Sequence, residues 1–590
     1  MKKVPSKILA LLMAVSVFGC VSSKTGFTPG TYQGTAQGFH GDITMEVTVD
    51  SGRILSVQAV EHTESPGISD PAFERIPKAI VDGQTLAVDV VAGASFSSRG
   101  IIDAVTLALE KSGADITALQ NKTASSKAVR RDSKTETADV IVIGAGGAGL
   151  AAAIAANQSG ATVIVLEKMP RAGGNTIISG AAYNAVDPSR QIPLGIEDSV
   201  DLHFTQTYEG GDKVGDPALV RTMVENAYPA LQWMESLGME FTPTVFTVLG
   251  GLWPRAHKPV KPLGTGYIDT DLEYINSHSS QITLLLETEA TELITKNGRV
   301  TGVKAKGLST DYVFNANKAV VIATGGFGAN IELRDRFNSM WPALTNIKTT
   351  NHPGATGDGL VMAEAVGANL VGMEYIQLLP MGDPDTGSLS GNIEQNVENR
   401  IFVNKSGNRF VDEGARRDVM TKGLFEQQDA FMWVILDRHS YPNPDVKNNF
   451  NETIAELIAQ GRAYGANSLD DLARQIGVNA ENLKAAVADF NRAVETGGPD
   501  RFGRTLFQDK IDTPPFYAGA REPTVHHTMG GIQINTRAQA IDKKGNVIPG
   551  LYAAGEVTGG IHGSNRLGGN ALADIHVFGR IAGTNAAAEK

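Results

Sequence analysis

Apolar and polar residues alternate with a period of two from Ile43 to Val49 and again from Ile54 to Val60, on either side of the turn Asp50-Ser51-Gly52. The pattern predicts two strands of a small antiparallel unit. A helix from Ser98 to Ser112 closes this unit, which runs from Gly30 to about Leu119. The polar stretch from Asn121 to Thr137 has no apolar period and reads as a linker. After it the pattern changes. Ala138 to Ile143 is a continuous apolar run, Gly147 to Gln158 is Ala-rich, and Thr162 to Leu166 is apolar again, which predicts a strand, a helix and a second strand in a βαβ start.

Composition narrows the function classes. The chain has 590 residues, 42% hydrophobic and 20% charged, so it can bury several cores. A formal charge of −12 excludes a nucleic-acid partner as the main reading, because phosphate binding needs clustered Lys and Arg. Any steering of anions must be local. The 65 glycines suit an enzyme that brings backbone close to a nucleotide cofactor. The single cysteine is Cys20, after Lys2, Lys3, an apolar run from Ile8 to Phe18, and Gly19. This is the pattern of a signal peptide over residues 1–20 with a lipoprotein-type ending, so export to the periplasm or cell surface is expected, with lipid at Cys20 anchoring the protein at the membrane, or, since Phe18 is bulky for the position two before the cysteine, with cleavage by an ordinary signal peptidase as the alternative. With no second cysteine, the mature chain has no internal disulfide, no cysteine-ligated iron–sulfur cluster and no c-type haem, and no metal site is read. Redox chemistry must then run on organic cofactors.

The sequence Gly144-Ala145-Gly146-Gly147-Ala148-Gly149 matches G-x-G-x-x-G at the strand-to-helix turn, with Glu167 at the end of the next strand. Glycines there let the backbone approach a pyrophosphate. The helix N-terminus supplies N–H donors, and the acid can accept from a ribose hydroxyl. The motif alone does not choose between FAD and NAD. Three further stretches do: Gly173-Gly174-Asn175-Thr176, Ala323-Thr324-Gly325-Gly326 and Gly555-Glu556-Val557 resemble the other flavin-contacting segments of the succinate dehydrogenase and fumarate reductase flavoproteins. The stretch from His562 to Leu572, HGSNRLGGNAL, is among the most specific of these matches. From Ala138 to the end the chain resembles the urocanate reductase and flavocytochrome-type fumarate reductase family. The resemblance implies noncovalent FAD, since no flavin-linking histidine stands near Asn175 and Thr176, with Gly144, Gly146, Ala148, Gly149, Glu167, Gly174, Asn175, Thr176, Gly326, Asp358, Glu556, Ala571 and Leu572 as its contacts. It also implies the fold class, multidomain α/β. A Rossmann-like FAD domain over 138–373 and 521–590 is interrupted by an α+β capping domain over 374–520 and preceded by a small α+β domain over 28–120, with 121–137 as linker.

The small domain resembles FMN-binding domains of sodium-pumping quinone reductases. Asp89-Val90-Val91-Ala92-Gly93-Ala94-Ser95 fits their Asp-x-x-Ser-Gly-Ala-Thr pattern with Ala92 in place of the usual hydroxyl residue, and His62 to Gly67 supports the match. The resemblance implies FMN attached covalently through Ser95 by a flavin transferase.

The same family resemblance assigns a reducing site. Phe410 to Asp418, FVDEGARRD, is similar to a Phe-Val-Asn-Glu-x-x-Thr-Arg-Asp stretch whose arginine delivers a proton, which implies that role for Arg417. Outside that context Arg417 reads as a surface partner of Asp418 or Glu413. His526 and Arg566 match the pair that holds a substrate carboxylate, with His527 a structural neighbour. Donors aimed at a carboxylate stabilise the charge that hydride addition pushes onto it. At the other end of the pocket Gln377-Leu378-Leu379-Pro380 places Leu379 where fumarate reductases have histidine, and Ile393 faces their glutamate, with Glu394 beside it. Glu394 would repel a second carboxylate and attract an imidazole N–H, or serve as a proton-relay partner of Arg417. The expected function is exported reduction of the C=C bond of a small unsaturated carboxylate, urocanate first, with fumarate, cinnamate, acrylate and methacrylate as alternatives. Electrons would come from an external donor, a quinol dehydrogenase or a cytochrome. Rival readings are a dehydrogenase or oxidase on the same fold and an exported flavin electron carrier.

Overall fold

The computed structural model describes residues 26–39, 41–64, 69–91, 94–121 and 131–590. Cys20, Ser65 to Gly67, Ala92 and Gly93 lie outside the described residues. Two compact units divide between Lys127 and Ala128. No helix among the described residues is long and apolar enough to cross a membrane.

In the first unit, strands Gly30–Gln37, Asp42–Val49 and Ile54–Glu61 form an antiparallel sheet in that order. The alternating residues Ile43, Met45, Val47 and Val49 point to one face and meet Ile101, Ala104, Val105 and Leu109 from the helix Ser95–Lys111. The helix Asp70–Gly83, which the sequence pattern did not show, covers the same core with Ala72, Ile76 and Ile80. The helix expected from Ser98 starts three residues earlier, so Ser95 is its first residue.

The second unit is built on an eight-stranded sheet whose central strands, Val547–Ala553, Thr310–Ile322, Asp132–Ile143, Val163–Leu166 and Ile282–Leu285, are parallel neighbours in that order. The runs Val163–Leu166 and 319–322 are buried on both faces, the signature of a parallel sheet covered on both sides. One expectation is corrected here. The strand begins at Asp132, not Ala138, and Asp132 to Thr137 pair with Thr310 to Asn315. This extension is exposed, so its backbone is paired while its side chains carry no apolar period, and the expected linker loses its last residues to the sheet.

A second sheet lies mostly in the region expected as a capping domain: Ile376–Gly382, Phe516–Thr528, Met432–Leu436 and Ile401–Val403 in order, with Tyr464–Ala466 on the Phe516 strand. The Phe516 strand crosses the boundary expected at 520/521. Its first half pairs with Met432–Leu436 and its second half with Ile376–Gly382. One 13-residue strand therefore ties the capping sheet to the residues expected to hold substrate.

Candidate active site

An open cleft lies at the C-terminal ends of the parallel strands, among residues expected to contact FAD. Gly144, Gly146, Ala148, Glu167, Gly174, Asn175, Thr176, Asp358 and Glu556 line it. Gly149, Gly326, Ala571 and Leu572 are not among its walls. For Gly149 the reason is packing, since a Cβ there would meet the Gly144 carbonyl oxygen at 1.9 Å. The residues fit a dinucleotide. The helix Gly147–Gln158 has an N-cap, Gly146, with no side-chain cap bond, and a Cβ on Gly146 would find nothing nearer than 4.0 Å. The Thr324 hydroxyl on the cleft wall is buried without a partner. Glu167 accepts from the Ala145 and Met169 N–H groups, both at 2.8 Å, which aims it at the phosphate turn, and burial pushes its carboxyl upward. Asn175 donates to Asn351 at 2.7 Å and to Glu556 at 3.3 Å, and accepts from the His352 N–H at 2.7 Å. Asp358 pairs with Lys168 at 2.5 Å.

Arg417 is the first residue of the helix Arg417–Phe425 and is buried. The surface-pair reading fails because both acids are already taken. Glu413 accepts from Arg409 at 2.8 and 2.7 Å and from Arg504 at 2.8 Å, and Asp418 accepts from Arg416 at 3.0 Å. Arg417 instead donates from Nε and Nη2 to the Leu249 carbonyl, at 3.1 and 2.8 Å, and from Nη1 to the side-chain oxygen of Gln377 at 3.1 Å. Gly250 lies against its stem, where a Cβ would stand 2.8 Å from Arg417 Cγ.

The Gln377 oxygen accepts a second guanidinium, Arg566 Nη2, at 3.0 Å, and its amide donates to Asn565 Oδ1 at 3.0 Å and to the Arg566 carbonyl at 2.8 Å. Neither Arg417 nor Arg566 is in an ion pair among the described residues. Two buried cations thus share one neutral acceptor. Burial, then the nearby Arg566, push Arg417 well below the usual guanidinium range, with Glu394 opposing. Burial brings Arg566 down to about 10 against the pull of Glu556 and Asp574. The direction is what a proton donor needs, and the sequence could not show it.

His526 stands at a β-bulge. The register passes from Gln377↔His527 to Leu378↔Val525, so His526 is the extra residue, re-aimed out of the regular alternation. Its Nδ1 lies 2.8 Å from the Thr350 hydroxyl. Burial, Arg566 and Arg417 all push its imidazole well below the usual range, so it is neutral. His527 is buried with Nδ1 3.5 Å from Glu556. Leu379 shares a strand face with Gln377 and is buried, yet it joins neither the core of its neighbour Leu378 nor that of Met381. Glu394 is not solvated: it is buried and paired with Arg400, which is fully buried and also donates to the Glu413 carbonyl at 2.8 Å. Gln377, Arg400, Thr350 and the Leu249 carbonyl carry the site's geometry and were not among the expected site residues. Only Gln377 left a signal, standing in the stretch that had been used to place Leu379.

In the first unit Ser95 opens a 17-residue helix whose N-cap, Ala94, offers no side-chain cap bond, a geometry suited to a phosphate. Phe96 is 47% exposed beside it and tilts against Phe39 with ring centres 5.9 Å apart. The Ser97 hydroxyl donates to buried Glu64, and His62 stacks on Phe73 at 4.0 Å.

Residues 139–572 match the FAD binding domain model, and residues 38–110 match the FMN-binding domain model. The chain belongs to the FAD binding domain family. It is a multidomain α/β flavoprotein with FAD and FMN as its cofactors. Within the family it is 36% identical to the urocanate reductase of Eggerthella lenta, over 98% of this chain and 97% of that protein. It is 39% identical to the NADH:acrylate oxidoreductase of Vibrio harveyi over 95% of this chain, but spans only 61% of that longer protein. The open conformation of a flavocytochrome c3 fumarate reductase superposes with a TM-score of 0.63 at 36% identity, covering 77% of this chain and 78% of the other.

Proposed function

We propose that this protein reduces the C=C bond of a small α,β-unsaturated carboxylate, with urocanate as the first candidate. The observation that carries the reading is the pair of buried guanidiniums, Arg417 and Arg566, held by one neutral oxygen beside neutral His526. Two desolvated cations with no direct acid partner among the described residues make a site that a carboxylate completes. Reduced FAD, when bound, supplies a hydride. Arg566 and His526 hold the substrate carboxylate and stabilise the charge that builds there, and Arg417 gives its proton to the adjacent carbon. Hydride plus proton saturate the bond, and Arg417 regains its proton from solvent.

Urocanate is supported by the relative that matches the chain nearly end to end and by a buried carboxylate, Glu394, near enough to act on Arg417. A second reading, an acrylate or cinnamate, is favoured by apolar Leu379 and by the pairing of Glu394 with Arg400, which leaves no free charge for a second polar group. Electrons enter at FMN carried on Ser95, from a quinol dehydrogenase or a cytochrome, and Cys20 anchors the exported protein through a lipid.

The test is turnover of the purified holoprotein with reduced viologen against urocanate, fumarate, cinnamates, acrylate and methacrylate. One enoate should reoxidise the dye, and Arg417→Ala should keep both flavins while losing that turnover. If no enoate reoxidises the reduced protein, the reading fails. If Arg417→Ala turns over normally, Arg417 is not the proton donor.

A further inference from the structure

The residue immediately before the proton donor makes a contact that the reduction itself does not use. Arg416 is the N-cap residue of the helix that Arg417 opens. Its guanidinium forks onto Asp212, from Nη1 to Oδ1 at 2.6 Å and from Nη2 to Oδ2 at 3.0 Å. Asp212 sits in the turn after the helix Val200–Gly210, in the left-handed region at φ 57°. The same carboxylate accepts the hydroxyl of Ser564, two residues before Arg566. That loop is stitched to the turn twice more, by the Ser564 N–H on the Gly211 carbonyl at 3.1 Å and by Asn565 Nδ2 on the Gly210 carbonyl at 3.1 Å.

These bonds close a circuit. From Arg417 it runs to Gln377, from Gln377 to Asn565 and Ser564, from Ser564 to Asp212, from Asp212 to Arg416, and along the chain back to Arg417. Most of the circuit is buried. Its exposed links meet at Asp212: the Arg416–Asp212 pair, whose side chains are 25% and 50% exposed, and the Ser564–Asp212 bond. The circuit joins the segment that carries the proton donor to the loop that carries the carboxylate holder, so the distance between the two guanidiniums is set partly by a contact that water and salt can reach.

We propose that Arg416 and Asp212 are positioning residues, a solvent-facing clasp that holds Arg417 in register with Arg566 and makes proton delivery sensitive to ionic strength. This rests on the reductase reading above for what the register serves. Exposed ion pairs contribute little to stability and are screened by salt. Misplacement of a reacting group by a fraction of an ångström, in contrast, is costly to rate. The clasp should therefore show in kcat and hardly at all in folding. Asp418 remains as a partner for Arg416 when Asp212 is removed, so the variant leaves no buried orphan.

The experiment compares the holoprotein with Asp212→Asn, Arg416→Met and the charge swap Arg416→Asp with Asp212→Arg, at low salt and at high salt. Each single variant should lower kcat about tenfold, leave thermal stability within about 2 °C, and lose the salt dependence that the parent shows. The swap should recover at least part of kcat and restore the salt dependence. Single variants with parental kcat and salt response, or a swap no better than the singles, overturn the clasp. Amide hydrogen exchange over the helix Arg417–Phe425 is measured in the same proteins. Faster exchange in Asp212→Asn supports the clasp and unchanged exchange opposes it, even if the parent reduces no enoate and the reductase reading itself has failed.

Discussion

At the scale of single residues, the site is organised by an uncharged side chain. The Gln377 oxygen holds Arg417 and Arg566 close together without neutralising either, so both keep their affinity for an incoming carboxylate. Replacing it with an acid of the same shape should therefore harm more than removing a contact. In Gln377→Glu a fixed carboxylate pairs with the two cations, opposes the substrate anion and raises the affinity of Arg417 for its proton. We expect kcat/KM to fall about a hundredfold, with KM rising, as desolvated charge pairs of this kind carry about 2–5 kcal/mol. Steady-state kinetics on the preferred enoate checks it, and an unchanged KM would contradict it. Sequence patterns could not show this, because an amide carries no charge and no period. Its role exists only where two distant arginines arrive on either side. Glu394 was legible as an acid but not as a paired one, since Arg400 meets it only after the chain folds back over six residues.

At the scale of elements, placement depends on departures from regularity. The helix Gly147–Gln158 was readable to the residue because its glycines, its alanines and its flanking strand agree. The strand extension from Asp132 was not, because it is held by backbone pairing alone. The bulge at His526 and the left-handed turn at Gly250 were equally invisible, yet one re-aims His526 and the other leaves room for the stem of Arg417. Gly250 has φ +67°, and an added Cβ would press on the stem of Arg417. Gly250→Ala should cost about 1–2 kcal/mol of stability for the left-handed backbone. It should also lower kcat more than KM by moving the guanidinium. Melting curves and kinetics together test this, and a variant that lost stability alone would show that Arg417 yields without consequence.

At the scale of the whole molecule, the two units offer separable readouts. If FMN is attached at Ser95 as proposed, Ser95→Ala should leave the first unit without covalent flavin, seen as loss of the flavin mass on the denatured protein, while FAD remains in the second. Flavin still bound covalently would move the attachment elsewhere. The second unit should be sensitive to acid. His203 and His576 are fully buried, and burial lowers them to about 3 and about 4. An unfolded chain binds protons at these sites below pH 6.5, whereas the native protein does not. Their contribution is therefore complete above about pH 6.5 and is lost as the pH falls towards 4, at up to about 1.4 kcal/mol per pH unit for each. Melting temperature measured from pH 7.5 to 4.5 should decline steadily below 6.5, and a flat profile would count against neutral native histidines.

The Leu249 carbonyl that takes two of the three hydrogen bonds from Arg417 belongs to the main chain. No substitution at position 249 deletes it. The placement of the Arg417 guanidinium is thus built into the course of the polypeptide, whereas Leu379 and Glu394, both buried, are replaceable side chains. If the proposed reduction holds, such a division would let a lineage explore new acceptors one mutation at a time without surrendering it.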